Sequence, residues 1–270
     1  MDKSISELVL SHREGAVGTV SLNRSESLNA FNLDLARQFL RIIEDYRQDD
    51  GIRVVVVRGE GRVFSAGGDI PEMLGYVRDG KDRAAYFRAP LTAFGRMVLA
   101  LRAIPKPIVA AVHGAVAGFA FNLMLACDLK LAEEKTRFSQ AFIKVGLSPD
   151  GGGTWFLPRY VGYTRACELA MLPTELDAKS AQEWGLINWT APAMRFEARL
   201  KEITDAIANS PREALGRAKE LLYGAYDRGL AEHIEAERLA QVENAASPDF
   251  EEGLTAFVEK RGAKFWKPRP

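Results

Sequence analysis

The segment IVAAVHGAVAGFAFNLMLA, Ile108 to Ala126, holds a strand, a turn and a helix in nineteen residues. Pro105 and Pro107 stop whatever precedes it, because a proline lacks the N–H that a helix or ladder needs. Ile108 to Val112 is apolar, short and bounded by Pro and Gly, so it reads as a buried strand. His113-Gly114 turns the chain, and Phe119 to Ala126 follows as an apolar helix. The same order stands upstream. Arg53 to Val57 is a β-branched run, a polar glycine-containing segment covers Gly59 to Asp69, and Pro71 opens a helix.

Reading outward, Glu7 to Arg13 and Ala16 to Asn23 alternate and form two strands joined at Gly15. Asn32 caps a helix that runs to about Gln48, with Leu35, Phe39, Ile42, Ile43 and Tyr46 at helical spacing. A longer helix covers Arg83 to Ala103. Short strands follow at Asp128 to Ala132, Arg137 to Ser139 and Leu186 to Trp189, and Asp150-Gly151-Gly152-Gly153 is the most flexible loop. From Pro192 to Lys260 the pattern is amphipathic and helical. The expected organisation is one α/β unit, residues 1–191, carrying an α-helical region, residues 192–270, with no linker between them.

The composition narrows the function. Lys plus Arg and Asp plus Glu each number 36, which argues against a protein that wraps nucleic acid or clings to an acidic membrane. Three dispersed histidines and two cysteines without a CxxC pair make a metal site improbable, and both thiols read as buried and free. The longest apolar run is too short to span a bilayer. Met1 to Glu7 is polar and acidic, unlike a secretory leader, so a cytoplasmic protein is expected.

Three glycine-containing turns follow strands: Ser65-Ala66-Gly67-Gly68-Asp69, Gly114 to Gly118, and Asp150 to Gly153. Small residues let main-chain N–H groups approach a ligand, and a helix starting near Phe119 aims unpaired N–H groups into the same space. That suits a group that turns negative during reaction. None of these turns matches a phosphate loop, and Ser65 lies in no GxSxG elbow.

Phe64-Ser65-Ala66-Gly67-Gly68-Asp69-Ile70 resembles the AGxD segment of the enoyl-CoA hydratase/isomerase (crotonase) family. Lys106 to Gly114, continuing to Cys127-Asp128, is similar to that family's second signature, and Ser25-Glu26-Ser27-Leu28-Asn29-Ala30-Phe31 to its CoA-contacting turn. The resemblance implies a spiral of ββα units with a helical C-terminal trimerisation region, a homotrimer or homohexamer, and a CoA thioester as substrate rather than cofactor. It places the oxyanion donors at the N–H groups of Gly68 and Phe119. Substrate contacts are implied at Ser27, Leu28, Ala30, Ala66, Gly67, Asp69 and Ile70, and at Asn122 and Phe142. The acyl pocket is expected within Pro71 to Pro90.

Two departures matter. The positions of the hydratases' two glutamates hold Asn122 and Phe142, neither of which transfers protons as a carboxyl does. Asp150, in contrast, resembles the proton-transferring aspartate of the phenylacetate-pathway ring-epoxide isomerases. The expected activity is therefore double-bond or ring isomerisation through an enolate, with Asp150 as catalytic residue. Hydration and a weakly catalytic acyl-CoA-binding role are the other readings. Asp150 also has a structural reading, as a turn residue capping the helix near Thr154. Asp69 is expected to order its loop.

Overall fold

The computed structural model describes residues 7–266. Met1 to Ser6, most of the stretch read above as unlike a leader, lie outside the described residues. A hairpin, β1 (Val9–Glu14) and β2 (Val17–Leu22), leads to α1 (Leu33–Gln48) and β3 (Val54–Gly59). Next come α2 (Ile70–Arg78), α3 (Arg83–Ala103), β4 (Ile108–Val112), β5 (Ala115–Ala117) and α4 (Phe119–Ala126). Then follow β6 (Leu129–Glu133), β7 (Arg137–Ser139), α5 (Gly153–Met171), β8 (Glu175–Asp177), α6 (Ala178–Glu183) and β9 (Trp189–Ala191). Four helices close the chain: α7 (Ala193–Ala208), α8 (Arg212–Gly224), α9 (Leu230–Ala245) and α10 (Pro248–Val258). α5 is broken at Gly162, whose φ of 74° is non-helical.

The large sheet has the order β1-β2-β3-β4-β6-β9, with only β1 antiparallel to its neighbour. A small sheet runs β5-β7-β8. β4 and β6 lie in the large sheet while β5 and β7, the strands that follow them, lie in the small one. The chain thus spirals in ββα turns, the crotonase-type α/β architecture.

The β-branched runs bury both faces of the large sheet. Val55 and Val57 of β3 join the main core, and Val54 and Val56 face a second core closed by Phe196, Leu200 and Ile203 of α7. A strand covered on both sides needs apolar residues at every position, which is why these runs do not alternate. All eight residues of α4 are buried, as expected of a helix that is apolar all round. Asn32 caps α1 by accepting the Leu35 N–H at 3.0 Å, and its five predicted apolar positions are all buried.

Several expectations need correction. The Gly114–Gly118 turn contains strand β5, and β8 was not anticipated. The strand expected at Leu186 to Trp189 begins at Trp189; Leu186 and Ile187 are buried ahead of it. Cys167 is only half-buried, unlike Cys127.

The helical region is tied to the α/β unit by buried polar contacts. Lys219 of α8 donates to the carbonyls of Leu101 and Lys106 and sits 2.9 Å from Asp128. Asp128 also accepts from the Tyr223 hydroxyl and, at 2.7 Å, from the Ile108 N–H. Burial pushes the Lys219 pKa down, so its charge depends on Asp128. Asp128→Ala should cost roughly 3–5 kcal/mol in urea unfolding, because it strands a buried cation. Lys219→Met should cost less, because the Asp128 carboxylate it leaves keeps the Ile108 N–H and the Tyr223 hydroxyl as donors.

Candidate active site

The Phe64–Asp69 turn and the β5–α4 turn are joined as if they were strands. Ser65 and Val116 form a parallel bridge, through Ser65 N–H to Ala115 O and Ala117 N–H to Ser65 O, both 3.1 Å. Gly67 then lies so close to the second turn that a methyl group on it would come 2.7 Å from the Ala117 carbonyl oxygen. Its φ of +95° also requires glycine. This approach brings Gly68 beside the first turn of α4. Among the described residues, neither the Gly68 N–H nor the Phe119 N–H meets a protein acceptor. Phe119 is the first residue of α4, where N–H groups have no partner in the helix.

Behind these donors stands a scaffold the sequence did not disclose. Buried Asn29 donates to the carbonyls of Glu60, Val63 and Phe64 and accepts from the Arg24 N–H. Ser65 Oγ donates to Asn29 O and accepts the Gly67 N–H at 3.1 Å. Asp69 orders the turn, as expected. It caps α2 by accepting the Glu72 N–H and pairs with Arg24 at 3.0 Å.

One apolar cavity of about 200 Å³ lies at this junction. Of the predicted site residues, Ala66, Gly68, Ile70, Phe119, Phe142 and Asp150 line it. Ser27, Leu28, Ala30, Gly67 and Asp69 do not; Leu28 braces the Gly68 turn by accepting the Ala66 N–H, and Ser27 and Ala30 bond within their own turn and to Arg24. The pocket does use Met73, Tyr86, Phe87 and Pro90 from the expected range, and adds Phe31, Phe94, Val145 and Leu147 from elsewhere.

Asn122 is also absent from the cavity wall, and the reason is chemical. Its Nδ2 donates to Asp150 O at 2.8 Å and its Oδ1 accepts from Gln140 at 2.9 Å, so the amide is turned toward the third turn and Gln140. The loop read as most flexible is thus pinned at its first residue. Gly153 fits against that amide: a methyl on it would come 2.5 Å from both Oδ1 and Nδ2.

Asp150 does not cap α5. The capping position is Gly152, with no side-chain bond, and Asp150 Oδ1 is shut off from solvent with no hydrogen-bond partner. Burial raises its pKa from 3.8 to about 6, opposed only by a bond to its own main chain. A half-buried carboxyl with one oxygen left without a partner is costly in a structural role and useful in a catalytic one.

Two free main-chain donors and an unpaired carboxyl around one apolar cavity suit compounds whose carbonyl oxygen gains charge while a nearby C–H bond breaks. The chain belongs to the enoyl-CoA hydratase/isomerase family, whose model matches residues 12–268. It is 35% identical to the trans-2-decenoyl-[acyl-carrier-protein] isomerase of Streptococcus mutans, over 95% of this chain and 97% of that one. It is 35% identical to the 1,2-epoxyphenylacetyl-CoA isomerase of Escherichia coli, over 96% and 98%. Among solved structures, an enoyl-CoA hydratase from Bacillus anthracis superposes with a TM-score of 0.89 at 28% identity, covering 96% of this chain and 98% of that one.

The fit at Asn122 is testable. Gly153→Ala should destabilise the protein by about 1–3 kcal/mol in urea unfolding, since the methyl must displace the amide. Gly75→Ala, inside α2 with open space around it, should instead stabilise by about 0.4–1 kcal/mol.

Proposed function

We propose that the protein is an isomerase of acyl-CoA thioesters that moves a double bond through an enolate, with Asp150 carrying the proton. The observation behind this reading is the partly buried Asp150 carboxyl, its Oδ1 without a partner, in the cavity onto which Gly68 and Phe119 open. The thioester oxygen accepts the two N–H groups. Losing one such donor costs about 3 kcal/mol in other enzymes. Asp150 takes a proton from carbon and returns it at another position on the same delocalised system. A carboxyl with a pKa of about 6 is ionised at neutral pH and still holds a proton well enough to deliver it.

Isomerisation consumes no water, so one base that reaches two carbons suffices. Hydration needs a second group to handle water, and the candidates are engaged. The Asn122 amide holds the Asp150 turn and Gln140 and is no acid or base, Phe142 offers no proton, the Tyr86 hydroxyl donates to Glu72 at 3.1 Å, and Lys144 is exposed. The two isomerases named above support the same reading. No cofactor is required; the CoA thioester is the substrate. Leu222, Tyr226, Leu230, Phe257 and Val258, all strongly exposed on or beside α8–α10, support a homotrimer or homohexamer built through this region. A cytoplasmic location fits this substrate, and no helix among the described residues is long and apolar enough to cross a membrane.

With 3-enoyl-CoA in heavy water, the wild type should move the double bond and take up deuterium, read by mass. Asp150→Asn should lose this activity by roughly 10²–10⁴-fold. Water addition that survives in the variant would instead make the protein a hydratase.

Wild-type kcat/KM should rise with pH through about 6 and level above it, as the base ionises. Stability should run the other way. The unfolded carboxyl ionises near 3.8 and the folded one near 6, so folding loses free energy as pH climbs between them. Asp150→Asn should therefore be the more stable protein at pH 7, by up to about 3 kcal/mol. The two should converge near pH 4, which melting curves at both pH values would read.

A further inference from the structure

The cavity that holds Asp150 is small and its wall is aromatic. A volume of about 200 Å³ is little more than the roughly 150 Å³ of a cavity that accepts one benzene molecule. Phe119 stacks on Phe94 with ring centroids 4.5 Å apart and 22° between planes. Phe31 meets Phe119 edge-on at 4.8 Å and Phe94 edge-on at 6.0 Å. None of the three is more than 3% exposed.

The Phe119 ring has no freedom to swing aside. It lies flush on the backbone of Gly151, where a methyl group would come 2.7 Å from two ring atoms. Phe94 and Phe31 close two more sides. The side chain therefore forms a fixed wall, unlike a long aliphatic residue that could rotate out of the way. The N–H of the same residue is one of the two free donors, so carbonyl position and pocket wall belong to a single residue.

We propose that Phe119 is the specificity-determining residue of the acyl pocket and restricts the substrate to a compact acyl group. A planar six-membered ring close to the thioester carbonyl is the shape that fills the space. Aromatic rings pack edge-on or offset against such a wall, and a straight chain of ten carbons overruns it. This inference rests on the carbonyl placement in the proposed function, and not on the isomerisation step.

The test is binding rather than turnover. Phenylacetyl-, hexanoyl-, decanoyl- and dodecanoyl-CoA, none with a double bond to move, are titrated by calorimetry into the wild type, Phe119→Ala and Phe94→Leu. Wild type should bind phenylacetyl-CoA tightest and decanoyl-CoA at least tenfold more weakly. Phe119→Ala should gain at least tenfold on decanoyl-CoA and weaken on phenylacetyl-CoA. Phe94→Leu thins the same wall without touching a donor residue. It should move the ranking the same way, and it carries the test if Phe119→Ala does not fold. Decanoyl-CoA bound by wild type as tightly as phenylacetyl-CoA would overturn the proposal, as would an unchanged ranking in a folded variant. A protein that follows the expected ranking yet moves no double bond would leave this inference standing and remove the isomerase.

Discussion

Everything at the site depends on two main-chain N–H groups that the fold leaves unpaired. A buried N–H without an acceptor is costly, so the chain must hold it open by force of surrounding structure. The parallel bridge between Ser65 and Val116 does this. It spends neighbouring N–H groups on the ladder and carries Gly68 and Phe119 past its end. Asn29 and Ser65 then fix the first turn with side-chain bonds, so its register cannot slip. Glycine at 67 is the condition for this approach, because a methyl would enter the Ala117 carbonyl.

The same logic extends to the third turn. Asn122 stands on α4, the helix that begins with the Phe119 donor, and grips the Asp150 carbonyl oxygen. The Phe119 N–H and the Asp150 turn are thus referred to one fully buried helix. The main chain of Asp150 is satisfied while its side chain is not. This separation keeps a carboxyl in place with one pKa-lowering hydrogen bond, to its own main chain. Elsewhere in the core a buried cation is held by main-chain acceptors instead. Lys106, buried in the second signature, donates to the Tyr46 and Asp49 carbonyls at the end of α1.

Legibility in the sequence followed the length of the signal. α1, α3 and β4 carried long apolar patterns or proline boundaries, and their limits were readable. β5 and β8 span three residues each, too few to show a period, and exist because β7 pairs with both. The donors and Asp150 could be located through family motifs. What Asn122 does could not, since an amide in an apolar helix looks alike whether it meets substrate or the next turn. Asn29 and Gln140 passed unnoticed for the same reason. Their partners lie up to 35 residues away, and no local pattern reports them. The Phe94–Phe119 stack likewise joins α3 to α4 across sequence that gives no hint of contact.

Asn122 and Phe142 can now be understood together. Each stands where hydratases resemble one another in carrying a glutamate, and each has been turned to structural use. Asn122 locks the Asp150 turn, and Phe142 lines the cavity at 8% exposure, with its ring 3.9 Å from the methyl position of Gly118. A second carboxylate at either place would stand near Asp150. Its charge would raise the Asp150 pKa further and hold water in the pocket. With both gone, Asp150 is desolvated chiefly by apolar neighbours. Asp150 is then the one carboxylate on the cavity wall, which it shares with the Glu72-bonded Tyr86 hydroxyl and the exposed Lys144. On the isomerase reading proposed above, a single carboxylate in a largely aromatic pocket is what favours proton relocation over water addition.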